Sequence, residues 1–216
     1  MQSLAGGRKA GYACPPIGRN HVVKSVRTGL DVLRGSGFAP LSGMKVGLLV
    51  HPASVASDLA HATDLFAGAE GLELVRLFGP QHGILGQTQD NMVEWSSFTD
   101  PRTGVECVSL YGEHRKPTPE MLEGLDALVV DLQDVGARYY TFNWTTLLCM
   151  EACAAAGVKV VVPDRPNPIG GAREGPILDM RYKSFVGMAP VPARHGMTPG
   201  EMATFCNVKA GCRLEV

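Results

Sequence analysis

The chain carries no GxGxxG fingerprint after its first hydrophobic strand and no Gly-Lys-Ser/Thr phosphate loop, so a dinucleotide or nucleoside-triphosphate enzyme is disfavoured. A GxSxG elbow is missing too, which argues against the usual α/β serine hydrolase, and no HExxH pair fixes a metal. Charge is sparse and balanced: 19% of residues are Asp, Glu, Lys or Arg, the formal net charge is -1, and no Lys/Arg run occurs. Nucleic acid and polybasic membrane surfaces are therefore poor partners, and a small or neutral molecule is the better expectation. No apolar run approaches the length of a membrane span. The first residues lack the apolar segment of a secretory signal, so the sequence as written is expected to stay in the cytoplasm, its natural start and compartment being open. Six cysteines show no CxxC and no regular spacing, which points to packing thiols rather than a disulfide frame or zinc site. No cofactor is expected.

What is present is a sequence able to build a core: 216 residues, 45% of them hydrophobic. Residues 1–21, rich in Gly, Pro and basic side chains without a period, read as a disordered tail, and 22–216 as one domain. Val23, Val26, Leu30 and Leu33 predict a helix from Val22 to Leu33, with Gly29 as a weak interior position. Short apolar runs predict strands at Lys45–Val50, Leu72–Phe78, Glu106–Leu110, Ala127–Val130 and Val158–Val162, and Arg213–Val216 reads as a sixth strand just beginning. Between them, helical patterns lie around Leu59–Ala67, after Pro119 with Thr118 as cap, over Tyr139–Ala156 closed by Gly157, and from a Thr198-Pro-Gly-Glu201 capping box to about Val208. The alternation predicts an α/β fold: a doubly wound, mostly parallel sheet with helices on both faces.

Chemistry concentrates after the strands. The apolar run ending at Val130 passes directly into Asp131, Gln133, Asp134, Arg138, Tyr139 and Tyr140, with Gly136 as the turn. His51, Gln81-His82, Tyr111 and Asp164-Arg165-Pro166-Asn167 likewise follow strands, and a long polar loop runs from Gly79 to Gly104. In a doubly wound sheet ligands bind beyond the carboxyl ends of the strands, so these clusters share one rim. Each residue has a plainer role available: Asp131 or Asp134 as a helix cap paired with Arg138, Asn167 as a turn former, His195 as part of the last cap. Arg165 gains nothing from turn geometry and is favoured as a sugar contact. Carboxyl groups on separate loops suit acid/base work on a glycosidic bond. A divalent ion on Asp131, Asp134, Asp90 and His82 is a further alternative, although no spacing fixes a metal site.

These residues also carry a family resemblance. Val46–Val50, Leu77-Phe-Gly-Pro-Gln-His-Gly83, Ser109–Gly112, Asp131–Thr141, Asp164–Gly171, Glu174–Pro176, Ser184–Gly187 and Arg194–Thr198 follow the order seen in exo-acting β-N-acetylmuramidases, formerly a family of unknown function. The resemblance implies a Rossmann-like domain whose smaller C-terminal companion is absent here. It also implies a muropeptide or small carbohydrate substrate ending in β-linked N-acetylmuramic acid, in cell-wall recycling. It implies site roles for His82, Asp131, Gln133, Asp134, Arg138, Tyr139, Asp164, Arg165, Asn167, Arg194 and His195, with Arg138, Arg165 or Arg194 holding the lactyl carboxylate. The family's glutamate before His-Gly is Gln81 here, and an amide cannot donate a proton as an acid does. Glu94, flanked by Val93 and Trp95, is the first substitute acid, Asp134 the second, and a larger part for His82 the third; Gln81 then binds substrate. The competing readings are a glycan-binding protein without activity and a metal-dependent hydrolase.

Overall fold

The computed structural model describes residues 26–86 and 94–216. The expected tail at 1–21, Asp90 and Val93 lie outside them. Strands β1 (Lys45–Val50), β2 (Glu73–Gly79), β4 (Glu106–Ser109), β5 (Ala127–Asp131), β6 (Lys159–Val161) and β9 (Leu214–Glu215) form a parallel sheet, and the two-residue β3 (Phe98–Thr99) adds antiparallel to β4. Its order is β3-β4-β2-β1-β5-β6-β9. Chain direction across the sheet therefore reverses between β1 and β5, and at that switch point a crevice opens beyond the strand ends. The expected doubly wound architecture is the one observed.

Helices α1 (Gly29–Gly35), α2 (Ala62–Ala67), α3 (Pro119–Leu122), α4 (Phe142–Ala156) and α5 (Pro199–Ala210) cover both faces. The central strands β1 and β5 alternate even though all their residues but Lys45 are buried. Val46, Leu48 and Val50 of β1 with Ala127 and Val129 of β5 pack against Leu30, Leu33 and Phe66 of α1 and α2. Leu49, Leu128 and Val130 face the other way, onto Cys149, Met150 and Cys153 of α4. Cys107, Cys149, Cys153, Cys206 and Cys212 are all buried and unpaired. Burial pushes the Cys107 and Cys153 thiols up to about 12, which suits packing rather than reactivity.

Three helix starts differ from expectation: α2 begins at Ala62 rather than around Leu59, which holds a left-handed φ of 67°, and α1 and α4 also start later. Helix α1 begins at Gly29, because Thr28 and Asp31 form a reciprocal capping box that fixes the first turn there. Gly29 is thus not an interior weakness. Its N–H donates to Asp164 O at 2.7 Å, and a Cβ would stand 2.3 Å from Asp164 N, so glycine allows α1 to dock on the chain leaving β6. Helix α4 begins at Phe142 rather than Tyr139. Thr141, at the capping position, makes no side-chain cap and instead donates its hydroxyl to Gln81 Oε1 at 2.9 Å. Tyr139 and Tyr140 are left in the loop ahead of the helix.

An excursion between β6 and α5 was not foreseen. Strands β7 (Glu174–Ile177) and β8 (Pro192–Arg194) pair antiparallel, and the backbone N–H of Arg138 donates to Ala193 O at 2.8 Å, tying this hairpin to the loop after β5. Trp144, Leu147, Ala189, Val191, Met202 and Cys206 form a third apolar cluster beneath it.

Candidate active site

A cavity of ≈ 610 Å³ opens at the carboxyl edge of the sheet, within the range of small-molecule sites. The turn after β2 contributes Gln81 and His82; the turn after β4 gives Tyr111 and Arg115. Tyr139, Tyr140, Thr141 and Phe142 come from the entry to α4, and Ser184, Phe185 and Val186 from the excursion that ends in β8. His82 holds a left-handed φ of 72°, a costly conformation for a side-chain-bearing residue that sets it into the wall. Gln81 presents an amide whose oxygen is already engaged by Thr141.

Arg115 has a particular setting. Its guanidinium carbon lies 4.9 Å from the centre of the Tyr111 ring and 4.8 Å from that of Phe185, against a ring pair whose own centres are 6.2 Å apart. No carboxylate or other hydrogen-bond acceptor meets it among the described residues. Among the described residues it is the only side chain lining the cavity that carries a full charge at any ordinary pH.

Most of the expected site residues lie beneath this wall rather than in it. Asp131 and Arg165 form a buried bidentate ion pair, with Nε to Oδ1 at 2.6 Å and Nη2 to Oδ2 at 2.8 Å, and Arg165 Nη2 also donates to Val55 O. Burial raises the Asp131 pKa, and the bonds from Arg165 offset that only in part. Arg165 is 5% exposed, so the expected sugar contact is replaced by a lock across the switch point. With both oxygens of Asp131 taken, the metal set drawn through it loses that ligand, and among the described residues no three side chains converge as a metal site.

Asp134 accepts from Gly136 N at 2.7 Å and His195 Nε2 at 3.0 Å, both partners side by side on Oδ2. Met197 N–H donates to His195 Nδ1, which puts the imidazole proton on Nε2 and makes it the donor to Asp134. His195 is buried, and so holds the acid in place rather than meeting substrate. Behind the wall Asp134 is still felt: burial first, and its charge second, push the Tyr140 phenol up.

Asp164 accepts from Arg165 N, Thr198 Oγ1 and Gly200 N, joining the Thr198–Glu201 capping box at the head of α5. Asn167 donates to Met197 O and accepts from Ile169 N, the turn role. Gln133 donates to the Asp134 and Pro166 carbonyls. Arg138 donates to Pro176 O and Val191 O, and Arg194 to Glu174 and Ile169 O. All three arginines expected to hold a carboxylate are thus engaged inside the protein, while Arg115, passed over in the sequence, stands in the cavity. Its only sequence signal was its place shortly after Tyr111 at a strand end.

Glu94 is exposed and lines a neighbouring cleft with Ser97, Ser109, Gly112 and His114, not the cavity of Gln81. Trp95, expected to shield it, is buried instead, its Nε1 donating to Pro80 O at 3.1 Å. The two neighbours face different environments because Trp95 fills the space under the β2 turn.

The family model describing the N-terminal part of the exo-β-N-acetylmuramidase NamZ matches residues 46–216. The chain belongs to this family. The peptidoglycan β-N-acetylmuramidase NamZ of Bacillus subtilis (strain 168) is 44% identical over 195 residues, covering 89% of this chain and 47% of that protein. Crystal structures of two DUF1343 family proteins from Bacteroides fragilis NCTC 9343 share the fold. One has a TM-score of 0.80 at 40% identity, covering 88% of this chain and 49% of its own. The other has 0.74 at 33%, covering 89% and 51%. The chain spans about half the length of these NamZ-family relatives.

Proposed function

We propose that this chain is the Rossmann-like part of an exo-acting β-N-acetylmuramidase, which releases a terminal β-linked N-acetylmuramic acid from peptidoglycan fragments, and that the cavity beside Gln81 receives that sugar. The observation that carries this reading is the 44% identity to a peptidoglycan β-N-acetylmuramidase. The matched family span, 46–216, contains every described residue that lines the cavity. The lining agrees with it: aromatic faces from Tyr139 and Tyr140 suit the apolar side of a sugar ring, and hydroxyl and amide groups from Thr141, Ser184 and Gln81 suit its edge.

Hydrolysis requires an acid to protonate the leaving oxygen. None of the described residues lining the cavity is a carboxylic acid, and Gln81 stands where the resemblance implies glutamate. That observation favours a second reading, a protein that holds the same sugar without cleaving it.

The full-length protein incubated with a chromogenic β-N-acetylmuramic acid glycoside separates the two. Turnover by the unmodified protein is the expected result. Glu94→Gln is expected to remain within about threefold of it, because Glu94 opens onto another cleft; a loss on the order of 10²–10⁴ would give Glu94 the acid role. Binding without turnover, with Gln81→Glu switching the reaction on, establishes the second reading.

A further inference from the structure

Among the described residues the cavity has one permanent charge, and it is a cation without a hydrogen-bonding or ion-pair partner. The other arginines near the rim illustrate the contrast: Arg165 is matched to Asp131, Arg194 to Glu174, and Arg138 to two backbone carbonyls. Arg115 meets no acceptor among the described residues, yet it is not loose in solvent. Tyr111, itself 4% exposed, and Phe185 form an adjoining ring pair, centroids 6.2 Å apart, and the guanidinium carbon rests against both at 4.9 and 4.8 Å. Cation–π contacts of this kind anchor the guanidinium without using its N–H donors, and those donors match the two oxygens of a carboxylate. The same wall includes Thr141 and Phe142, where the 15-residue helix α4 starts, so the partial positive charge of a helix N-terminus acts on the same space. No described lining residue supplies a negative charge to cancel either one.

We propose that Arg115 is the specificity residue of this cavity and binds the carboxylate of an acidic sugar, distinguishing it from the neutral sugar of the same ring. Resting on the function proposed above, the carboxylate is that of the lactyl ether of N-acetylmuramic acid. Tyr111 and Phe185 are the positioning residues that anchor the guanidinium.

The test measures affinities of the full-length protein, by calorimetry, for N-acetylmuramic acid, its lactyl methyl ester and N-acetylglucosamine. The unmodified protein is expected to bind the acid most tightly. Arg115→Gln removes the charge while keeping a planar polar head, and should weaken binding of the acid roughly 10- to 100-fold, with the ester and the neutral sugar changed less than about threefold. Arg115→Lys keeps the charge but loses the two-pronged edge, and should fall between. A purely structural role would weaken all three ligands together, and that result overturns the proposal. So does equal binding of acid, ester and neutral sugar by the unmodified protein, which would leave the sugar site standing. Failure to bind any of the three overturns the functional reading and the role of Arg115 with it.

Discussion

Arg165 and Asp131 show how a residue's type can be right for one task while its surroundings commit it to another. A guanidinium and a carboxylate after adjacent strands are what a sugar site would use, and in sequence nothing distinguishes that use from mutual pairing. In the fold they meet beside the switch point, between the ends of β5 and β6, bonded twice and almost wholly buried. Removing one member of such a pair leaves the other charge uncompensated in a poorly solvated place. Arg165→Met is therefore expected to destabilise the protein by about 3–5 kcal/mol in urea titration. The folded fraction of that variant should still bind sugar near normally; unchanged stability combined with lost binding would return Arg165 to the cavity. The candidate site was legible only as a rim, since every polar cluster after a strand does lie at that edge. Which members face inward was not legible, because it depends on partners far away in sequence: Arg115 is set by Phe185, Arg138 by Pro176 and Val191, and Asp134 by His195.

Elements were readable where a local rule acts alone. The strands β1 and β5 declared themselves as continuous apolar runs because both faces are covered, and Thr118 and Thr198 declared their helices through capping chemistry within one turn. The β7–β8 hairpin was hidden for the opposite reason. All four residues of β7 are exposed, so no alternation of apolar and polar side chains marks it. The start of α1 was masked by Val23 and Val26, whose spacing continues the helical period upstream of the cap. Val26 is in fact 71% exposed, and Gly29 makes the decisive contact. Because the Cβ of an alanine there would meet backbone atoms of Pro163 and Asp164 rather than a movable side chain, Gly29→Ala is expected to lower stability by about 1–3 kcal/mol. This runs against the usual gain of replacing glycine in a helix. A variant as stable as the parent in chemical denaturation would mean that the docking of α1 on the β6 exit contributes little.

At the scale of the whole molecule, the two halves of the sheet are fastened at the switch point by His51 as well as by Arg165, which bonds both Asp131 and Val55 O in the loop after β1. The His51 ring, buried against Phe142, accepts from Gln133 N at its Nε2, while its carbonyl receives His61 Nε2. Ser54 Oγ meanwhile donates to the carbonyl of Asp131, at the end of the neighbouring strand. Accepting at Nε2 requires the neutral ring, and burial first, then the positive charges of Arg165 and His61, lower its pKa from 6.5 to about 3. The unfolded chain takes up a proton near pH 6.5 that the folded chain refuses until about pH 3, so this group costs nothing at pH 7 and destabilises as the pH falls between those values. Asp131 works in the opposite sense, since its raised pKa adds stability on acidification, but only as the pH falls through its own folded pKa. Between pH 7 and pH 5 the His51 contribution should reach about 2 kcal/mol. His51→Gln keeps an acceptor near the Gln133 N–H and has no proton to gain. Its absolute stability should drop through the lost ring contact with Phe142, yet its dependence on pH across that interval should be flatter by about this amount. Urea titrations of both proteins at pH 7, 6 and 5 measure the two slopes, and parallel slopes would show that His51 is not the group through which acid loosens the sheet at its switch point.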